Sequence, residues 1–259
     1  MALFICVVPV CPIRAEASHR SEQVSQLLFG ELCELLERTK YFVKVRVVYD
    51  NYEGWCQENQ LHETDDTAAS STQDRLAGDW VNDITVGNNR MRIPFASSLP
   101  ATNFIGKNRV EYKGAWISTV EKSMNVGLLE KISFTFLNTS YLWGGRSVFG
   151  IDCSGFTQLV FKCFHIRLLR DASQQVTQGD EVGFLQEAKP GDLAFFDNEA
   201  GRITHVGILL NTNTIIHASG KVRIDTIDSL GIINADTGKR THPLRLIKRI
   251  VSQRAPQLF

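Results

Sequence analysis

From position 156 to 164 the apolar residues Phe156, Leu159, Val160, Cys163 and Phe164 recur at three- and four-residue steps, the period of one helix face. The pattern predicts a helix that opens at Cys153 behind Asp152, a suitable N-cap, and ends near Phe164. A second amphipathic segment predicts a helix over 126–137. Downstream the period shortens to that of strands. The turn Lys189, Pro190, Gly191, Asp192 leads into an apolar strand over 193–196. Two further apolar runs, 204–210 and 214–219, flank a turn-like Asn211, Thr212, Asn213 and read as a β-hairpin. Residues 224–233 add a strand or loop, and 244–251 a closing strand.

The amino-terminal half has short β-type runs at 6–13, 32–36, 42–48 and 54–57, separated by polar or Gly-containing turns, which predicts a small barrel ending near Glu63. Residues 64–73, rich in Thr, Ser, Ala and Asp with no apolar period, read as a linker. A second β-rich unit follows, with strands expected at 80–81, 90–93 and 115–118. The expected organisation is therefore 1–63, 74–122 and 123–259, with an α+β carboxy-terminal unit in which a helix packs on an antiparallel sheet.

Composition narrows the function. The 28 Lys and Arg balance 28 Asp and Glu, so no nucleic-acid or anionic-membrane partner is indicated, and a small molecule is the expected ligand. Six cysteines at 6, 11, 33, 56, 153 and 163 show no C-x-x-C pair and no metal-finger spacing, so free thiols and a reducing, cytoplasmic compartment are expected, with no metal or cofactor. The apolar start, residues 1–11, carries no Lys or Arg ahead of the run and contains Pro9, and reads as a strand rather than an export signal. No stretch approaches the eighteen or so apolar residues of a membrane span.

Cys153 is the candidate nucleophile. Unpaired N–H groups and the positive dipole end of its helix favour a thiolate there. His205 and His217 stand on the two arms of the hairpin. If Leu210 pairs with Thr214, His217 falls opposite Gly207 and on the same face as His205, and the missing side chain of Gly207 leaves room for the rings to meet. Cys153 then attacks a carbonyl, His205 accepts and returns the thiol proton, and His217 orients His205. The Cys153 N–H is a natural oxyanion donor, and the Tyr141 hydroxyl a second.

The ordered motifs Tyr141-x-Trp143-Gly144-Gly145, Asp152-Cys153-Ser154-Gly155-Phe156, Arg170-Asp171-Ala172, Pro190-Gly191-Asp192-Leu193, His205-Val206-Gly207-Ile208 and Ile216-His217-Ala218-Ser219 resemble those of NlpC-type bacterial cell-wall cysteine endopeptidases. The resemblance covers residues 124–249 and implies a papain-like fold, a Cys-His-His triad and cleavage of the γ-D-glutamyl bond to a diamino acid, diaminopimelate or lysine. Residues 14–31 with 50–55 resemble the bacterial SH3-like domains of the same enzymes, and Tyr112 to Trp116 echoes Tyr52 to Trp55, which implies a diverged second SH3-like module. In the subgroup that joins the two, an acid and a tyrosine of the first barrel close the cleft over a free amine; Glu22 and Tyr52 stand at those positions, which implies a short murein peptide with a free L-Ala end as substrate. Asp152 is an N-cap or faces substrate, Ser154 is placed to bond a substrate carboxylate, and Arg170 with Asp171 either captures the glutamyl α-carboxylate or fixes its loop. His19, His62, His165 and His242 carry no motif and read as surface or packing residues. Two other readings compete: an inactive module that binds cell-wall peptide, and a zinc amidase using one cysteine and two histidines.

Overall fold

The computed structural model describes residues 2–64, 74–119 and 124–250, and strands dominate it. The first unit holds β1 (Leu3–Cys6), β2 (Val10–Arg14), β3 (Gln23–Leu28), β4 (Leu32–Arg38), β5 (Phe42–Val47), β6 (Glu53–Gln57) and β7 (Leu61–Thr64), hydrogen-bonded in the order β3-β2-β6-β5-β4-β1-β7. Strand β5 shows why the sheet wraps a core. Val43, Val45 and Val47 are buried with Cys6, Cys11, Ile13, Cys33 and Cys56, while Lys44 and Arg46 between them face outward. The single run expected over 6–13 is two strands, because Pro9 has no N–H for a ladder and the chain turns there. Strand β3 carries no clean alternation, since its Ser25 and Gln26 are buried against another unit.

The second unit has β8 (Arg75–Ala77), β9 (Val81–Val86), β10 (Asn89–Pro94), β11 (Phe104–Ile105), β12 (Asn108–Tyr112) and β13 (Trp116–Ser118), arranged as a sheet β10-β9-β12-β11 and a ribbon β13-β8. It shares its core with the first: Leu3, Ile5, Phe29 and Leu32 pack with Ala77, Ile84, Val86 and Ile93. The linker expected over 64–73 lies outside the described residues save for Thr64, the last residue of β7.

The third unit opens with α1 (Val126–Phe134), followed by the short ribbon β14 (Arg146–Ser147) and β15 (Gly150–Ile151), α2 (Cys153–Lys162) and α3 (Ala172–Gln175). Strands β16 (Asp180–Val182), β17 (Leu193–Asp197), β18 (Ile203–Asn211), β19 (Thr214–Ser219), β20 (Lys221–Asp228), β21 (Gly231–Ile233) and β22 (Arg240–Arg249) pair antiparallel in the order β16-β22-β17-β18-β19-β20-β21. Phe156, Leu159 and Val160 of α2 share one apolar cluster with Val206, Ile208 and Ile216, so the helix lies on the sheet as its pattern predicts. Among the described residues no helix is long and apolar enough to cross a membrane.

Candidate active site

The hairpin delivers the histidines. Gly207 lies opposite His217 as expected, but the closing pair is Asn211 with Thr214 rather than Leu210 with Thr214. The register shifts between Leu209 and Asn211, so a bulge there absorbs the extra residue without flipping the strands beyond it. Gly207 is required for the approach, because a Cβ at this position would stand 2.8 Å from the Cβ of His217 and 2.7 Å from Ile215 Cδ1. Nε2 of His205 lies 2.8 Å from Nδ1 of His217, and both rings are buried.

Cys153 is the first residue of α2, and Asp152 caps the helix by accepting a 2.7 Å hydrogen bond from the Gly155 N–H. The sulfur is buried and receives the backbone N–H of Val206, the neighbour of His205 on β18. At this helix start burial opposes the expected thiolate. Burial, reinforced by the charge of Asp152, pushes the Cys153 thiol up to about 12, and the Val206 N–H and Arg170 offset this only in part. Burial, then the neighbouring rings of His217 and His242, hold His205 well below its ordinary value. Both directions favour a thiol beside an uncharged imidazole, with the proton passing from sulfur to ring during attack.

Beside the sulfur opens a cavity of about 450 Å³ lined by Glu22, Tyr52, Tyr141, Trp143, Asp152, Cys153, Ser154, Asp171, Ile203 and Thr204, among others. The barrel contributes Glu22 and Tyr52. Glu22 accepts from the indole N–H of Trp143, and the Tyr52 hydroxyl meets Asp171. Burial, then the charge of Asp171, raises the Tyr52 phenol to about 12. Tyr141 is near enough to feel the charges of Cys153 and Asp152, but burial is the larger reason its phenol is pushed up.

Arg170 is placed differently from a carboxylate clamp. It is 1% exposed and absent from the cavity wall, with Nη1 and Nη2 on Asp152 at 3.1 and 2.6 Å, Nη1 also on the Ser154 hydroxyl at 2.9 Å, and Nε on Ser25 of the barrel at 3.0 Å. Its donors are engaged beneath the cleft, so it fixes the nucleophile loop and does not reach a substrate. Asp152 likewise has both oxygens engaged, Oδ2 also accepting from the Gly144 N–H at 2.9 Å.

Four residues at the site have no role in the sequence reading. Trp143 sits within the quoted Gly-rich loop, where an aromatic two residues after Tyr141 was the available signal. Asp225 accepts from His217 Nε2 at 3.0 Å, and Arg223 forks onto both Asp225 oxygens at 2.8 Å. Their signal was two charges at alternate positions of the strand after His217, with Arg223 paired directly across from it. His242, read as a surface or packing residue, is of the packing kind: it stacks on His205, with ring centroids 4.3 Å apart and planes at 26°. Nothing in its neighbours along the chain marks it, because β22 reaches the site only through sheet order. For the zinc reading, the two nitrogens an ion would need face each other, and no group of three ligating side chains among the described residues is arranged to hold a metal.

Residues 138–240 match the NlpC/P60 family, and residues 13–61 match the bacterial dipeptidyl-peptidase Sh3 domain. The chain is 30% identical over 217 residues to the γ-D-glutamyl-L-lysine dipeptidyl-peptidase of Bacillus subtilis (strain 168), covering 75% of this chain and 71% of that one. The chain belongs to the NlpC/P60 family of cysteine peptidases. Dipeptidyl-peptidase 6 of Lysinibacillus sphaericus is 23% identical over 258 residues, 86% of this chain and 91% of its own. The crystal structure of an NlpC/P60 family protein from Bacillus cereus ATCC 10987 superposes with a TM-score of 0.79 at 18% identity, covering 95% of this chain and 99% of that one. The NlpC/P60 fold with an SH3-like amino-terminal domain thus extends over nearly the whole chain.

Proposed function

We propose that this NlpC/P60 protein hydrolyses the bond between γ-D-glutamate and a diamino acid in short murein peptides that begin with a free L-Ala. The observation that carries the reading is one cleft with Cys153 at its base and Glu22 and Tyr52 from the barrel on its wall. A carboxylate and a phenol there suit a terminal ammonium and leave little room for a preceding residue. The names of the Bacillus subtilis and Lysinibacillus sphaericus relatives support a dipeptidyl-peptidase mode, in which two residues fill the closed side. Lysine or diaminopimelate then occupies the open side. The second β-rich unit, read as a diverged SH3-like module, braces the barrel through their shared core. The six buried thiols support action in a reducing cytoplasm, on peptides recycled from the wall.

Chemically, the Cys153 sulfur forms a bond to the γ-carbonyl carbon while its proton passes to His205. The Cys153 N–H and Tyr141 hydroxyl receive the oxyanion. His205 returns the proton to the leaving amine as the C–N bond breaks, and water hydrolyses the thioester by the same route. The test is release of the diamino acid from L-Ala-γ-D-Glu-diaminopimelate and from the lysine peptide. Release should stop with iodoacetamide, persist with EDTA, and fail on peptides acetylated at L-Ala. No release from either free peptide, with wall-peptide binding retained, would favour the binding-module reading instead.

A further inference from the structure

Behind the two histidines lies a carboxylate whose four hydrogen-bond partners are all donors. Asp225 Oδ2 faces His217 Nε2 at 3.0 Å and Arg223 Nε at 2.8 Å; Oδ1 faces Arg223 Nη2 and the Ala235 N–H, both at 2.8 Å. Asp225 is 3% exposed, so water offers no alternative partner. Because a carboxylate only accepts, His217 must carry its proton on Nε2. In a neutral ring its Nδ1 is then an acceptor, and the contact to His205 Nε2 at 2.8 Å requires the proton there to sit on His205. The ring nitrogen of His205 left with a free lone pair is Nδ1.

We infer that Asp225, clamped by Arg223, is a positioning residue that sets the proton on each histidine in turn, so that His205 Nδ1 is the base toward Cys153. The inference rests on the peptidase reading above for the identity of the reacting pair. Depression of the Asp225 carboxyl agrees with it: burial opposes ionisation, yet the hydrogen bonds from His217, Arg223 and Ala235 outweigh burial. Coupling of this kind between an acid and a distant base acts through tautomer choice and ring orientation, as the acid does in serine-protease triads.

The substitution Asp225→Asn separates positioning from packing. Its amide nitrogen at the Oδ1 place would meet two donors, Arg223 Nη2 and Ala235 N–H. At the Oδ2 place it meets only Arg223 Nε as a clash, while His217 Nε2 becomes its acceptor once that ring changes tautomer. The second placement is the less costly, and it moves the His217 proton to Nδ1 and hence the His205 proton to Nδ1. The base is then blocked.

Asp225→Asn is expected to lower kcat on the murein tripeptide by about 10²- to 10⁴-fold with KM within about threefold, and to slow iodoacetamide alkylation of Cys153 at neutral pH. The unaltered protein supplies the second measurement. Its imidazole ¹⁵N spectrum should show both His205 and His217 protonated on Nε2, and Asp225→Asn should move both protons to Nδ1. A folded Asp225→Asn with kcat, alkylation and tautomers unchanged overturns the inference. Should the variant not fold, Nδ1-protonated histidines in the unaltered protein overturn it, and Nε2-protonated ones support it. Alkylation and tautomers are read without substrate, so a protein that follows them but cleaves no murein peptide fails the functional reading alone.

Discussion

The two ends of helix α2 carry two buried polar assemblies built on opposite terms. At its start, burial raises the Cys153 thiol and lowers His205, each toward its uncharged form, and the carboxylate of Asp225 stands behind the His205–His217 pair. Toward its end, Gln158 and Lys162 enter a cluster of ions that joins the helix to the barrel. Glu31 accepts from Arg146 Nη1 at 2.9 Å and Lys162 Nζ at 2.7 Å; Gln158 donates to Asp50 at 2.8 Å; and the Tyr49 hydroxyl donates to the Ile166 carbonyl at 3.0 Å. Burial raises the cost of the Glu31 charge, but Arg146 and Lys162 outweigh it and hold the carboxyl at about 2. For Lys162 the balance goes the other way, since burial and the charge of Arg146 lower it despite Glu31. We regard it as charged, because its ammonium donates to Glu31, the Ala96 carbonyl and the Ser98 hydroxyl. One helix thus spends its dipole end on chemistry and its far end on holding the cleft's second wall in place, and the two should fail in different observables.

The largest expected effect breaks the chemical end alone. Cys153→Ala should lower turnover at least about 10⁴-fold, equivalent to about 5.5 kcal/mol of barrier, while the thermal midpoint stays within a few degrees. A comparable loss of stability would mean that the sulfur is structural. Glu31→Gln addresses the other end. It leaves Arg146 and Lys162 buried with one charge unpaired and should destabilise the protein by about 3–5 kcal/mol, measured by denaturant unfolding, with kcat of the folded fraction little changed. The same residue sets an acid window. Its folded value lies below the ordinary 4.5, so its stabilisation is complete above about pH 4.5 and is lost as pH falls toward about 2. Glu31→Gln should flatten that slope, and an unchanged acid profile would remove Glu31 from the account.

The same contrast explains what the sequence made legible. The Cys153 helix and the His217–Gly207 pairing were readable because local periodicity and a short hairpin fix them. Arg170 stayed open between two readings because a buried arginine and a substrate-binding one carry the same letter, and only Asp152, Ser154 and Ser25 converging on it favour the loop-fixing one. Strand β3 was missed for a related reason: its Ser25 and Gln26 are buried polar contacts to another unit, which erases the alternation that marks a strand. His242 reaches the site through sheet order, a long-range property that no short window of residues contains, whereas Asp225 sits on the strand directly after His217.

A smaller effect should appear at the wall that the ionic end holds. Glu22→Gln removes the charge that the proposed function sets opposite a substrate ammonium, leaving the indole of Trp143 an amide oxygen to bond. The expected result is a KM raised about 10- to 30-fold, about 1.5–2 kcal/mol, with kcat preserved. Tyr52→Phe should cost less, about 1 kcal/mol, since it deletes one hydroxyl facing Asp171. Loss of kcat in either variant would show that the barrel wall shapes the reacting atoms as well as the amine site.

The smallest effect sharpens the neutral end. His242 is held at about 4, by burial first and by His217 next, so it stacks on His205 uncharged near neutrality. A folded value below the ordinary 6.5 means that the native state binds fewer protons than the unfolded chain between about pH 4 and 6.5, so stability rises with pH across that window and falls as acid is added. His242→Phe keeps an aromatic face against His205 and cannot be protonated. Turnover should stay within about threefold, and the loss of stability between pH 6.5 and 4 should shrink by on the order of 1 kcal/mol, after allowance for partial exposure. His242 then acts between about pH 6.5 and 4 and Glu31 between about 4.5 and 2, so the two windows overlap only near pH 4. If His242→Phe instead removes activity as deeply as Asp225→Asn, the stacked ring takes part in proton placement and the neutral assembly has three histidines that matter, not two.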